Sequence, residues 1–317
     1  MSKDILITGG RPTGNLHLGH FLGAFKKTVD IHKNYNSFFI ISNFHMLTTK
    51  KRLKDLEEMP KNILDMVAEC IAMGMDPDSI NFYLQSNIIE MPKLYTFIQN
   101  HININSLIDN DSINEMKNHS QSFSLGLLAY SVMEAADIIG IGADVVPVGV
   151  DNIDHLNITH QIIDSINKEY SSSLKKPEVV QSVQANIIGL DLKNKMSKSL
   201  DNCIYLKDDS DIIYQKLNNI EPKNRYDLLM NFKEALGQHY DTKFIANYSD
   251  LIDLVIEIVD PISLKRKELL SDPSYLIKLI DEGTQKANEQ FSFTVNSIFE
   301  PIKFTSKSIF EGIDKFE

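Results

Sequence analysis

Two histidines three positions apart stand in residues 11–20, which read Arg-Pro-Thr-Gly-Asn-Leu-His-Leu-Gly-His. Because side chains three positions apart share one side of a helix, His17 and His20 are predicted to face the same way. As hydrogen-bond donors they suit the negative charge that develops on phosphate oxygens in a transition state. Gly19 has no Cβ and so permits the close approach of a nucleotide. The segment therefore predicts a phosphate-binding site, and a helix cap with two surface histidines is the alternative.

A second candidate is the run Lys-Met-Ser-Lys-Ser at residues 195–199, which lies in a polar, loop-like stretch. Lys195 and Lys198 are flexible cations with hydroxyl groups beside them, and such a group can close over a triphosphate. For a lysine pair taken alone, a solvated basic loop is the better explanation. The specific spacing and the phosphate-type segment upstream favour the functional interpretation here.

Other classes of function find less support in the sequence. The first segment lacks the Gly-x-Gly-x-x-Gly spacing of dinucleotide-binding folds, which disfavours a dehydrogenase. The two cysteines, Cys70 and Cys203, match neither a metal pattern nor a disulfide framework, so we expect no resident metal and a reducing cytoplasm. The start of the chain does not have the layout of a signal peptide, and no apolar run reaches the roughly 18 residues of a membrane span. The 317 residues carry a formal net charge of -11, so DNA and membrane partners are not expected, and RNA would need local basic patches.

Short apolar runs and helical patterns alternate along the first two thirds of the chain. The runs that predict strands are residues 5–8, 38–42, 81–84 and 145–148. The patterns that predict helices begin near residues 15, 56, 92, 125 and 153. Alternation of this kind is typical of a parallel sheet with helices on both faces. Such sheets bind ligands at the carboxyl ends of their strands, which is where residues 11–20 follow the first strand.

After about residue 206 the strand patterns fade and helical patterns remain, at residues 212–217, 226–236, 248–259 and 273–287. The length of the chain suffices for one large domain and a smaller one. The predicted fold class is therefore α/β. A Rossmann-like catalytic domain is expected at residues 1–205 and a helical domain at residues 206–317.

The two candidate segments together resemble the two hallmark motifs of the class I aminoacyl-tRNA synthetases, as His-Leu-Gly-His at residues 17–20 and Lys-Met-Ser-Lys-Ser at residues 195–199. Because the two motifs occur in this order on an α/β fold, the pair is a specific sign of that class. The length of the chain restricts the resemblance to the small tryptophan and tyrosine enzymes. Three further stretches resemble the tryptophan enzymes more than the tyrosine enzymes. They are residues 74–77 with the Gln-Ser after the next strand, residues 130–138, and residues 146–155.

The resemblance implies that this protein binds ATP and uses it to activate an amino acid. The residues implied in ATP binding are Arg11, Pro12, Thr13, Gly19, His20, Gly149, Val150, Asp151, Ile187, Lys195, Met196, Ser197, Lys198 and Ser199. Those implied in catalysis are His17, His20, Lys195 and Lys198. Lys117, in a polar loop, is the candidate for a further phosphate contact. Mg²⁺ is expected to arrive with ATP, held mainly by the phosphates.

For amino-acid recognition, the resemblance implies that Asp137 accepts the indole N–H of tryptophan. A buried carboxylate that faces a unique N–H donor discriminates strongly, because a ligand without that donor leaves it unpaired. The other pocket residues implied are His45, Tyr130, Glu134, Val146, Val148 and Asn152. Core packing is an equally good explanation of His45, Val146 and Val148. The chain departs from the usual family residues at Asn43, Ser131, Glu134, Val150 and Asn152.

The function implied is the ATP-dependent activation of tryptophan and its transfer to tRNA, by a cytoplasmic homodimer with its interface near residues 82–107. The helical domain is the expected anticodon-binding part, and its last helix is expected to pack back on the catalytic domain. Its candidate RNA-binding residues are Lys223, Arg225, Lys265, Arg266 and Lys267. Three alternatives stay open: a tyrosine-specific synthetase, a synthetase paralogue with altered amino-acid specificity, and a non-catalytic nucleotide- or RNA-binding module. The Ala-Ala-Asp pattern at residues 135–137 disfavours the first, and the two lysines of residues 195–199 disfavour the last.

Overall fold

A computed structural model describes residues 3–108, 123–149, 153–181 and 187–304. The strands in these ranges are β1 Ile5–Gly10, β2 Asn36–Ile41, β3 Ile80–Leu84, β4 Val145–Val148 and β5 Glu178–Gln181. They form one sheet in the order β3-β2-β1-β4-β5, and every pair of neighbours is parallel. The predicted α/β fold with a parallel sheet is confirmed.

The sequence does not predict β5, although it predicts the other four strands. Three of the four residues of β5 are exposed, so no buried apolar run marks it. The strand is defined by its pairing with β4, along which Val145 lies opposite Glu178 and Val148 opposite Gln181. An edge strand of this kind depends on its neighbour more than on its own sequence.

Helices cover both faces of the sheet. Successive side chains of a strand point to opposite faces, and along β2 the residues Phe39 and Ile41 pack in one apolar cluster while Phe38 and Ile40 pack in another. The helices up to residue 170 are α1 Leu18–His20, α2 Lys26–Ile31, α3 Asn43–Met46, α4 Leu53–Glu57, α5 Met59–Ala72, α6 Met91–Ile98, α7 Ile104–Ile108, α8 Leu125–Leu128, α9 Tyr130–Ile141 and α10 Ile153–Tyr170. A single π-helical turn, Phe21–Phe25, joins α1 to α2.

One helix predicted from about residue 125 to 139 is two helices in the structure. α8 begins after Ser124, whose Oγ accepts the Leu127 N–H at 3.2 Å, and α9 begins after Ala129. Ala129 has a φ of -87° and a ψ of 12°, outside the helical region. α9 then ends at Gly142, whose φ of 69° is the left-handed value that favours glycine after a helix.

From Ser210 onward the described residues are mostly helical, with α11 Ser210–Asn218, α12 Arg225–Gly237, α13 Tyr248–Leu270 and α14 Pro273–Phe299. α13 runs through Pro261, whereas the sequence predicts an end near residue 259. A proline inside a helix costs roughly 3 kcal/mol because it lacks an N–H and crowds the preceding turn. Burial of Ile262 and Leu269 beyond the proline offsets this cost.

The last two helices pack against the sheet and its first helices. α14 lies on β3 so closely that a Cβ on Gly283 would come within 2.0 Å of the Phe82 carbonyl oxygen. Arg266 of α13 donates to Asp65 of α5 at 2.7 Å. The domain boundary at residues 205 and 206 stays a prediction. In the described ranges, no helix has the length and apolar character needed to cross a membrane.

Candidate active site

The first candidate segment leaves the sheet where the strand order reverses. β1 pairs with β2 on one side and with β4 on the other, so a crevice opens at their carboxyl ends. Gly9, near the end of β1, lies so close to β2 that a Cβ on it would come within 2.2 Å of Ile40 Cγ2. Gly149 follows β4 directly. Residues 11–20 therefore begin at a position where sheets of this type bind ligands.

His17 caps the first turn of α1, and His17 and His20 form reciprocal hydrogen bonds between backbone and side chain. The Nδ1 atom of His17 accepts the His20 N–H at 3.3 Å, and the Nδ1 atom of His20 accepts the His17 N–H at 3.2 Å. The centroids of the two rings are 3.6 Å apart. Because Nδ1 is an acceptor in both rings, each neutral imidazole carries its proton on Nε2.

Both imidazoles are neutral at physiological pH. Burial, and after it the charge of Lys198, lowers the pKa of His17 to about 4. Burial is also the largest cause of the lowered pKa of His20, followed by His17 and Lys198. Each ring therefore offers an uncharged Nε2–H donor, which suits a hydrogen bond to a phosphate oxygen.

Lys198 joins the second candidate segment to the first. Its Nζ atom donates to Thr13 Oγ1 at 3.1 Å and to the carbonyl oxygen of Gly14 at 3.3 Å. Burial lowers the pKa of Lys198 to about 8, an effect that Glu69 opposes and Arg11 reinforces. Two motifs that are far apart in the sequence are thus in direct contact, with a cation between them that can neutralise a phosphate.

Asn202 fixes the backbone of residues 195–199, and the sequence does not single it out. Its Oδ1 atom accepts the Ser197 N–H at 2.7 Å, and its Nδ2 atom donates to the Lys195 carbonyl at 3.2 Å. The side chain is buried against Gly189, where a Cβ would come within 2.0 Å of its Nδ2 atom. Several Asn and Asp residues stand nearby in the sequence, so no signal distinguishes this one.

A cleft of about 660 Å³ lies between the two segments. The predicted site residues that line it are Arg11, Thr13, His17, Gly19, His20, Gly149, Ile187, Lys195, Met196, Ser197, Lys198 and Ser199. Pro12 is buried and does not line the cleft. Lys117, Val150 and Asp151 lie outside the described residues. We refer to this space as the phosphate cleft.

A buried carboxylate lies on α9, at Asp137. Its Oδ2 atom accepts from His45 Nε2 at 3.0 Å and from Gln85 Nε2 at 2.7 Å. Its Oδ1 atom is also buried and has no hydrogen-bond partner in the described part of the chain. Burial raises the pKa of Asp137, and the hydrogen bond from His45 opposes this. A buried acceptor without a partner is costly, so Oδ1 is suited to a donor on a ligand.

Gln85 orients His45 and Asp137, although no pattern in the sequence assigns it a role. Its Oε1 atom accepts the Phe44 N–H at 3.0 Å and the His45 N–H at 3.4 Å, while its Nε2 atom donates to Asp137. The residue thereby ties α3 to α9 at the end of β3. The available signal is its position directly after a predicted strand, in a stretch that resembles the tryptophan enzymes.

A larger cleft of about 1070 Å³ adjoins the phosphate cleft. The predicted amino-acid-binding residues that line it are His45, Tyr130, Glu134, Asp137, Val146 and Val148. Asn152 lies outside the described residues. The residues that line both clefts include Arg11, Thr13, His20, Gly149 and Lys198. The space can therefore place an apolar side chain beside Asp137 and a polyphosphate beside Lys198. We refer to this space as the amino-acid cleft.

Two departures from the family pattern have hydrogen-bond partners. Asn43 Nδ2 donates to Ser86 Oγ at 2.9 Å, and its Oδ1 accepts the Ser86 N–H at 3.0 Å. Ser131 Oγ lies 2.5 Å from His155 Nδ1, a contact that the proline usual at this position in the family cannot make. His155 lines the amino-acid cleft, and neither contact involves Asp137, His45 or Gln85.

Comparison with known proteins gives consistent matches along the chain. The family model described as tRNA synthetases class I (W and Y) matches residues 2–250. The tryptophan–tRNA ligase of Chlamydia caviae is 30% identical, over 96% of this chain and 97% of that protein. The tryptophan–tRNA ligase of Borreliella burgdorferi is 33% identical, over 89% of this chain and 83% of that protein.

Solved structures agree with these matches. The tryptophanyl-tRNA synthetase of Campylobacter jejuni, in a crystal structure complexed with ADP and tryptophan, has a TM-score of 0.80 and 28% identity, covering 94% of this chain and 99% of that chain. The tryptophanyl-tRNA synthetase of Mycoplasma pneumoniae has a TM-score of 0.81 at 21% identity, covers 98% of this chain and 100% of that chain, and so shares the fold.

Proposed function

From the premise that the chain belongs to the class I tRNA synthetases of the tryptophan and tyrosine group, we propose that it activates tryptophan with ATP and transfers the tryptophanyl group to tRNA. The protein is an aminoacyl-tRNA ligase. The observation that carries the choice of tryptophan is Asp137, which lines the amino-acid cleft and whose buried Oδ1 atom has no hydrogen-bond partner in the described part of the chain.

The proposed activation step needs little covalent work from the protein. The carboxylate of the amino acid attacks the α-phosphorus of ATP, and pyrophosphate leaves. The Nε2–H groups of His17 and His20 donate to phosphate oxygens as negative charge moves onto them. Lys195 and Lys198 lie on the lining of the same cleft and neutralise the leaving pyrophosphate. Positioning and charge stabilisation account for the rate.

Mg²⁺ fits this site as a companion of ATP rather than as a resident of the protein. No carboxylate lines the described part of the phosphate cleft, and no cluster of three metal-binding side chains occurs among the described residues. The ion would therefore be held mainly by the phosphates, and it would add positive charge next to Lys198.

Recognition of the amino acid is proposed to centre on Asp137. His45 and Gln85 fix its Oδ2 atom, so its Oδ1 atom has a defined direction in which to accept an indole N–H. Phenylalanine has no donor on its ring and would leave a buried carboxylate oxygen without a partner, and tyrosine carries its O–H at a different position from the indole N–H. Val146 and Val148 supply apolar walls of the same cleft.

For tRNA binding, we propose the helical region after residue 206 as the part that contacts the anticodon. Its predicted basic residues are not equivalent in the structure. Arg266 is largely buried and pairs with Asp65, so its role is to hold α13 to α5. Lys223, Lys265 and Lys267 are exposed and remain candidates for contacts with RNA. Arg225 stacks its guanidinium group 5.2 Å from the centre of the Tyr248 ring.

A homodimer that uses residues 82–107 is proposed on the basis of exposed apolar side chains. Ile89 is 80% exposed and Ile104 is 57% exposed, and both lie in or beside helices of that stretch. A two-fold pairing would cover the same patch on both copies. A cytoplasmic location is proposed because Cys70 and Cys203 are both free, as is usual in a reducing compartment.

The experiment that tests this function is ATP–pyrophosphate exchange with each of the twenty amino acids in turn, which needs no tRNA. We expect tryptophan to support exchange and tyrosine to fail. Lys198→Ala should slow exchange by about 10²–10³, because a partner of the transition-state charge is lost. Exchange with a different amino acid would disprove the specificity, and exchange unaffected by Lys198→Ala would disprove the assignment of the phosphate cleft.

A further inference from the structure

Four cationic side chains lie close together in the chain after α3, at Lys50, Lys51, Arg52 and Lys54. All four are exposed, and all four line the amino-acid cleft. In the described ranges, none of them forms an ion pair with a carboxylate. We call residues 50–54 the basic run. Its charge is available to a ligand because no carboxylate in the described part of the chain pairs with it.

The basic run stands out in a chain whose formal net charge is -11. The described lining of the amino-acid cleft contains the cations Arg11, Lys50, Lys51, Arg52, Lys54 and Lys198 and the carboxylates Asp55, Glu134 and Asp137. Of these carboxylates, Asp55 is the one close to the run in sequence, and its Oδ2 atom accepts the Arg52 N–H at 3.3 Å. An excess of positive charge at a cleft attracts polyanions and raises their local concentration.

The four cations of the basic run differ in the clefts that they line, and we call Lys50 the inner cation and the other three the outer cations. Lys50 lines both the phosphate cleft and the amino-acid cleft. Lys51, Arg52 and Lys54 line only the amino-acid cleft. The partners proposed above for the phosphates of ATP are the two histidines and two lysines of the motifs, which line the phosphate cleft. The three outer cations are therefore left for a second polyanion.

Backbone hydrogen bonds also connect the basic run to the segment that contains His45, one of the residues proposed to recognise the amino acid. The Lys50 N–H donates to the Met46 carbonyl at 2.8 Å, and the Thr48 N–H donates to the His45 carbonyl at 3.3 Å. His45 in turn contacts Asp137 at 3.0 Å. A polyanion held by the run would thus lie along the same cleft as Asp137.

We propose that Lys51, Arg52 and Lys54 bind the phosphodiester groups of the unpaired 3′ end of tRNA as it enters the cleft. This rests on the proposed function, because transfer requires the terminal ribose hydroxyl to reach the activated carboxyl group. Each nucleotide behind that ribose carries a negative charge, and an unpaired strand is guided by cations along its path. Lysine binds phosphate as a flexible point charge, so this contact orients the strand without reading its sequence.

The test replaces the three outer cations together, as Lys51→Gln, Arg52→Gln and Lys54→Gln. A matched control replaces Lys3, Lys168 and Lys175 by Gln, which are exposed lysines that line neither cleft, lie before residue 206 and give the same change in net charge. Both variants and the unchanged protein are titrated with intact tRNA and with the same tRNA trimmed of its unpaired 3′ nucleotides, at several salt concentrations. ATP–pyrophosphate exchange is measured in parallel.

We expect the triple substitution in the basic run to raise the Kd for intact tRNA by about tenfold or more at low salt. The slope of log affinity against log salt should fall by about 2, as for three lost contacts with a single strand. The same substitution should change the Kd for trimmed tRNA little, and the control variant should bind both RNAs as the unchanged protein does. Exchange with tryptophan should persist, because it involves no tRNA.

Three results would overturn the proposal. Equal losses for intact and trimmed tRNA would place the contact elsewhere on the RNA. Equal losses in the control variant would show an effect of net charge alone. A large rise in the KM for ATP in exchange would assign the run to the triphosphate. A failure of exchange in the unchanged protein, by contrast, would remove the proposed function itself, so the two failures are distinguishable.

Discussion

At the scale of single residues, the charge of Lys198 should control ATP binding above neutral pH. Burial lowers the pKa of Lys198 to about 8, so the free protein carries this charge below that pH and loses it above. Since a triphosphate binds the charged form, the KM for ATP should rise roughly tenfold for each pH unit above the pKa. In Lys198→Arg the guanidinium stays charged, so the rise should disappear. The KM for ATP of both proteins is obtained from exchange rates measured over a range of ATP concentrations at several pH values. An identical rise in KM in the unchanged protein and in Lys198→Arg would contradict this role of Lys198.

Asp137 should matter for the amino acid and hardly at all for ATP. In Asp137→Asn the side chain keeps its size but loses its charge, and the hydrogen bonds from His45 and Gln85 to Oδ2 lose their charged acceptor. A hydrogen bond to a charged group contributes about 1.5–3 kcal/mol, so kcat/KM for tryptophan should fall roughly 10–100-fold. The KM for ATP should stay within about twofold, because other segments bind the phosphates. A parallel loss for ATP would indicate a general distortion of the site.

The sequence predicts the types of these residues better than their environments. The spacing of His17 and His20 predicts that they lie together, but their tautomers follow from mutual backbone contacts that only the folded turn creates. In the same way, the pattern of residues 135–137 indicates Asp137. The two side chains that fix its Oδ2 atom come from α3 and from the residue after β3, and no local pattern reveals such long-range partners.

At the scale of elements, Asn202 should control the geometry of residues 195–199. In Asn202→Ala both the Ser197 N–H and the Lys195 carbonyl lose their side-chain partner. Losing these two part-buried hydrogen bonds costs about 0.5–1.5 kcal/mol each, so we expect a lower melting temperature and a kcat/KM for ATP that falls by about tenfold or more. The control is Asn194→Ala, an exposed residue of the same loop that bonds to Asp191. Equal effects of the two substitutions would contradict the role of Asn202.

Among the elements, those with strong local patterns are predictable and those set by contacts are not. β4 at Val145–Val148 is predicted with its bounds because its residues are apolar and buried. β5 escapes prediction because its residues are mostly exposed, and the break at Ala129 has no proline or glycine to mark it. α13 continues beyond the predicted end near residue 259 and through Pro261, because apolar burial on both sides outweighs the local cost of the proline.

At the scale of the whole molecule, the fit of α14 on β3 should make a large contribution to stability. A methyl group at Gly283 would meet the Phe82 carbonyl oxygen at 2.0 Å, so Gly283→Ala must displace the helix from the sheet. Overpacking of this kind costs about 1–3 kcal/mol of unfolding free energy. The control is Gly126→Ala in α8, where the nearest atom to the new methyl group is 3.9 Å away. That change should be neutral or stabilising by roughly 0.5–1 kcal/mol. Denaturant unfolding measures both variants, and similar stabilities would contradict this packing.

Aminoacylation of total tRNA shows directly whether this protein charges tRNA with tryptophan. The purified protein is incubated with ATP, Mg²⁺, total tRNA and an equimolar mixture of the twenty amino acids. The 3′-terminal adenosine is then released by nuclease and identified by mass spectrometry. We expect more tryptophanyl-adenosine than any other aminoacyl-adenosine, and we expect it to disappear when ATP is omitted. A different amino acid on the adenosine, or none in the presence of ATP, would contradict this expectation.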